Sequence, residues 1–85
     1  MARIADLPPL PSTPAPGLYR HYKGALYEAM GVVRHSEDLS PLVLYRPVHE
    51  SGAPIDGVLW VRPHAMWSEP VVHAGRTVPR FAPVG

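Results

Sequence analysis

The chain has 85 residues, no cysteine, charged side chains at 18%, a formal net charge of +1 and a pI near 8.2. These values describe one domain that must stand on a modest apolar core without disulfides. They exclude a bilayer-crossing helix and give no general pull towards phosphate, and the first residues lack the basic start and unbroken apolar run of a secretory signal. A soluble, cytoplasmic protein is the expectation.

Met1 to Pro16 carries Pro8, Pro9, Pro11, Pro14 and Pro16 among small or apolar residues. Such a segment favours extended polyproline conformation and cannot donate to a regular ladder, so residues 1–16 read as a Pro-rich lead-in. The alternative to a free linker is a segment lying back on the body, anchored by Leu7 and Leu10. The PPLP run at Pro8 to Pro11 is similar to ligands of proline-reading domains, but it is short and a plain linker is preferred.

Leu18 to Tyr22 is rich in aromatic and apolar residues and reads as a first strand. Lys23-Gly24 supplies a hairpin turn, and Leu26 to His35 follows as the second strand. Helix formers at Ala25 to Met30 compete, but Gly24 and Gly31 confine them to fewer than two turns. Neither face of the second strand is cleanly apolar, and a bulge at Gly31 would switch the inward register partway. Ser36 to Pro41 is a polar turn. Leu42 to Val48 forms a strand buried in part on both faces and ended by Pro47.

His49 to Gly57 holds Gly52, Pro54 and Asp56-Gly57, and is a loop long enough to move. Val58 to Arg62 alternates cleanly, with Trp60 and Arg62 on one face, and Pro63 stops it. His64 to Met66 makes a tight turn with Met66 or Trp67 folded under as a plug. His73 to Arg76 turns a last hairpin with Gly75 in the special conformation, and Phe81 docks on the body. The whole predicts an all-β fold at residues 17–85: a small, partly open SH3-like barrel of five or six short strands, closure limiting its exposed edges.

Gly17 to Gly24, Tyr27-Glu28, Arg34 to Glu37, Leu42 to Arg46, Trp60 to Pro63 with Met66, and Val78 to Phe81 form an ordered set spanning nearly everything after Pro16. In this set the chain resembles the bacterial domain-of-unknown-function family 1653. The resemblance implies a compact single-domain bacterial protein and brings no reaction, cofactor or catalytic residue with it. The chain departs from the family pattern in its lead-in and in HisAlaGlyArg, where an acidic residue is expected before the glycine.

Tyr19, His21, Tyr45, Arg46, Trp60 and Arg62 are the candidate binding residues, because arginine and aromatic surfaces that meet can hold a planar group or a carboxylate between them. The competing reading is burial, with Trp60 and Tyr45 capping the barrel. Five histidines, at 21, 35, 49, 64 and 73, are scattered without the pairs that make metal spacing persuasive, so neither a metal nor a cofactor is expected. His35-Ser36-Glu37 holds hydrolase residue types, but adjacency along the chain does not place them in mutual reach. Lys23-Gly24 lacks the longer glycine-rich loop of a phosphate cradle.

These residues lead to a non-catalytic recognition module that binds a peptide or protein partner. One alternative is a small enzyme or auxiliary subunit using Tyr19, His21, His35 and Glu37. A nucleic-acid-binding barrel is another, and assembly through an exposed strand edge a third.

Overall fold

In the computed structural model, which describes residues 6–84, the chain is built around one long strand and the extra residue inside it. Among the described residues seven strands form, in the order β1 (Gly17–His21), β2 (Leu26–Arg34), β3 (Pro41–Pro47), β4 (Trp60–Pro63), β5 (Pro70–His73), β6 (Arg76–Pro79) and β7 (Phe81–Pro83). A single turn of helix, α1 (His64–Trp67), separates β4 from β5. The main sheet is antiparallel and five-stranded in the order β4-β3-β2-β1-β7, while β5 and β6 make a separate two-stranded ribbon. The all-β expectation is met, with more strands than the five or six expected. The sheet does not close into a barrel: among the described residues no pairing joins β4 to β7.

The bulge falls where the mixed pattern of β2 calls for one. Ala29 pairs with Tyr45 and Gly31 with Leu44, leaving Met30 as the extra residue. One unpaired residue reverses the alternation, so Val32, opposite Val43, joins the face that holds Tyr27 and Ala29. That face is the inner one. Tyr19, Ala29, Val43, Tyr45 and Phe81 are buried on it, and Trp67 comes down from α1 to join them. Trp67 is therefore the plug, while Met66 stays exposed. Its ring stacks on Phe81 at 3.9 Å and meets Tyr19 and Tyr45 edge-on at 5.4 and 5.1 Å.

The opposite face carries Leu26, buried like Val48 and joined to it by the bond from Val48 N to Leu26 O. The segment between β3 and β4 lies over this side. His49 N donates to Ala53 O at 2.8 Å and Ile55 N to Pro47 O at 3.3 Å, and a Cβ at Gly52 would stand 3.8 Å from Leu18 Cδ1. Arg20 clamps Glu50 with two bonds of 3.2 Å.

The described part of the lead-in also lies on the body; its first five residues are outside the described range. Proline cannot donate, but the carbonyls around it accept. Tyr19 Oη donates to Ala15 O at 2.8 Å, His64 Nε2 is 2.8 Å from Thr13 O, and Arg34 Nη2 donates to Pro8 O. Leu7 and Leu10 are half-buried, as anchors of such a strap should be.

The ribbon turn yields a first prediction. Ala74 and Gly75 both have positive φ, 52° and 76°, the requirement of a type I′ turn. A left-handed alanine costs about 1–2 kcal/mol, whereas asparagine adopts that conformation readily. Ala74→Asn is expected to raise stability by about 0.5–1 kcal/mol, read as a higher urea midpoint at unchanged slope.

Candidate functional site

Strand alternation and the order β4-β3-β2-β1-β7 bring five of the six candidate residues to one face. Register places Tyr19 opposite Tyr27, Tyr45 between Ala29 and Trp60, Arg62 opposite Val43, and His21 opposite Phe81. They do not play equal parts. Tyr19 and Tyr45 are buried and form the floor; His21 and Arg62 are half-buried; Trp60 keeps 45% of its surface in solvent. Arg46 stands on the opposite face, where its Nε and Nη2 both reach Glu28 Oε1 at 2.7 Å. Being next to Tyr45 in a regular strand, it has to point the other way.

Arg62 is fixed from below. Its Nε donates to Tyr45 Oη at 3.3 Å, and its guanidinium carbon lies 5.3 Å from the Phe81 ring centre and 6.0 Å from that of Tyr45. Trp60 leans on Tyr45 and Tyr27, with ring centres 5.9 and 6.1 Å away. Tyr27 continues to His21 at 6.3 Å, and His21 to Tyr22 at 4.5 Å. The result is a half-exposed row of rings beside one guanidinium. Tyr27 completes it and was not among the candidates from sequence, although its parity with Ala29 puts it on that face.

His21 accepts the Lys23 N–H on Nδ1 at 3.1 Å, which places the proton of a neutral ring on Nε2. Burial holds its pKa below the usual histidine range, and Arg62, Arg80 and Lys23 add to the shift. Burial and the positive field around it thus both favour the neutral imidazole. A largely apolar cleft of about 370 Å³ opens beside it, bounded by Tyr22, His73, Val78 and Pro79. A second cleft, of about 590 Å³, lies on the other face between Met30, Arg46, Ile55 and Leu59.

The residues proposed for catalysis do not converge. Tyr19 and His21 lie on β1, beside the start of β2, whereas His35 and Glu37 lie in the turn beyond its end. There the Glu37 N–H donates to His35 Nδ1, and the Asp38 carboxylate accepts from both Ser40 Oγ and Ser40 N. Those two bonds hold Asp38 below the usual carboxylate range. This is local turn chemistry. Among the described residues no group of three or more histidine, aspartate or glutamate side chains could hold a metal ion, and no helix is long and apolar enough to cross a membrane.

Fold and face together define a small β domain, an open antiparallel sheet with an aromatic inner surface that is covered at one end and half-exposed at the other. The model of the family described as protein of unknown function (DUF1653) matches residues 17–83, and the chain belongs to that family. It is also similar to the crystal structure of a protein belonging to DUF1653 from Bordetella bronchiseptica. The two share 35% sequence identity and a TM-score of 0.74, over 87% of this chain and 91% of that one. No curated protein matches the chain.

Proposed function

We propose that the protein is a non-catalytic recognition module that grips a peptide segment of a protein partner on the face formed by Trp60, Arg62, Tyr27 and His21. The observation that carries this reading is Trp60: an indole 45% exposed, supported by two tyrosines, beside an arginine already oriented by Tyr45. Rigid aromatics next to arginine are the residues that most often dominate binding energy. A peptide is favoured over nucleic acid because the formal net charge is only +1 and Arg20, Arg46 and Arg80 are each paired with a glutamate. Tyr19 and Tyr45 support the surface from below, and Arg46 has no part in it.

Peptides selected from a displayed random library against the intact domain provide the test. Trp60→Ala is expected to weaken the selected peptides by at least about tenfold, roughly 1.4 kcal/mol, by calorimetric titration. Its folding stability should stay within about 1 kcal/mol of the parent, since the side chain is half in solvent. Unchanged affinity, or a variant that no longer folds, would remove the assignment. Binding that collapses with added salt and is shared by oligonucleotides would replace it with the nucleic-acid reading.

A further inference from the structure

One outer edge of the five-stranded sheet leaves apolar side chains in solvent. β4 is last in the strand order, and none of the backbone hydrogen bonds outside the ladders involves residues 58 to 63. Natural edges are blunted by charge, proline, covering segments or extreme shortness. Both edge strands are short and end in proline, β7 at Pro83 and β4 at Pro63, but β7 turns Phe81 into the core. β4 instead presents Val61 at 54% exposure, preceded by Leu59 at 61%, on one side, and Trp60 on the other, with Arg62 as its only charged residue.

We propose that β4 is a docking edge on which a short extended peptide adds as a further strand, its acidic side chains facing Trp60 and Arg62 and its apolar ones facing Leu59 and Val61. The proposal rests on the reading of the Trp60 face as a binding surface and deepens it: backbone pairing supplies the grip and the two faces supply the code. Charge selects the occupant. Arg62 stands half-buried on the inner face beside Trp60, held by Tyr45 and with no carboxylate among its partners in the described residues, so the complementary side chain there is a carboxylate. On the other face the exposed Leu59 and Val61 offer apolar surface to an aliphatic side chain, beside a cleft that Met30, Ile55 and Val58 share with Arg46 and Asp56. A second copy of the chain fits less well. It would bring its own Arg62 to the same edge, and four residues of strand, about 13 Å long, fall far short of the roughly 800 Å² per partner that a stable dimer needs.

The probe is a capped heptapeptide of alternating valine and glutamate, titrated into the isotope-labelled domain to about 1 mM, the weak end of specific binding. Two analogues accompany it, one N-methylated at every valine and one at every glutamate, together with a valine–glutamine version. Binding is expected to shift the Trp60 indole N–H resonance and to slow exchange of outward-facing β4 amides by about tenfold. Only one methylated analogue should retain affinity, because only one peptide edge meets β4. The glutamine version should bind several-fold more weakly to the parent chain but not to Arg62→Gln. An indole shift with neither amide protection nor edge selectivity overturns strand addition while leaving the Trp60 surface in place. No shift at all overturns this proposal, and the library selection then decides the surface separately. Protection of β4 that grows with protein concentration and a doubled mass shows a second copy as the occupant, and equal displacement by oligothymidylate shows nucleic acid; either result overturns it.

Discussion

Trp67→Ala is expected to cost about 3–5 kcal/mol, the range for deleting a buried large aromatic, and to leave the domain unfolded or nearly so at 37 °C. Trp67 keeps only 3% of its surface in solvent and touches the rings of Tyr19, Tyr45 and Phe81 at once. A four-residue helix cannot collapse into the space left behind, because Pro63 and the start of β5 fix both its ends. A small domain holds only about 5–15 kcal/mol of stability, and chains of this size shift by roughly 4–8 °C per kcal/mol. The thermal midpoint should therefore fall by well over about 10 °C. Trp67→Phe should recover much of the loss by restoring a stack on Phe81. A variant with near-native stability would show that the inner face is not covered as described.

Removing the lead-in is the second large effect. A chain beginning at Ala15 loses the bonds from Arg34 to Pro8 O and from His64 to Thr13 O, and opens the groove that Thr13 and Pro14 share with Tyr19 and Trp67. Each ordinary bond contributes about 0.5–1.5 kcal/mol net, a bond from a charged guanidinium somewhat more, and half-buried apolar side chains at Leu7 and Leu10 add to both. The expected destabilisation is about 2–4 kcal/mol by urea unfolding, with a weaker near-ultraviolet circular dichroism signal as packing around Trp67 loosens. A free linker would cost nothing, and a truncated chain as stable as the parent would show the segment to be one. Binding at Trp60 should survive if the shortened chain remains folded, since the strap runs over the other end of the face.

A TM-score of 0.74 at 35% identity to the Bordetella protein establishes a shared fold, and the family description assigns no activity. The proposed peptide surface therefore stands on the geometry of Trp60 and Arg62 alone.

Local order was legible in the residues because local chemistry causes it. Gly24 and Gly75 sit at positive φ where the turns require it. The mixed faces of β2 demanded an extra residue, and the bulge at Met30 supplies it. Arg46 shows a local rule that parity alone would have applied: neighbours in a strand face opposite ways, so it could not share a surface with Tyr45. The placement of the loop after β3 was not legible locally, because its bonds to Pro47 and the Arg20–Glu50 pair join residues that no local pattern links.

What the chain's order alone determined, then, is an all-β domain with its turns, its bulge and the two residues, Trp60 and Arg62, that share a side of one strand. Only the folded sheet decided that this side joins the one bearing Tyr19 and His21, because β3, β2 and β1 must line up between them in register. It also decided that Trp67 and the lead-in cover one end of that surface and leave Trp60 in solvent, since those contacts join residues far apart in the chain. No periodicity encodes such pairings; they follow from which apolar surfaces remain to be covered once the strands have paired.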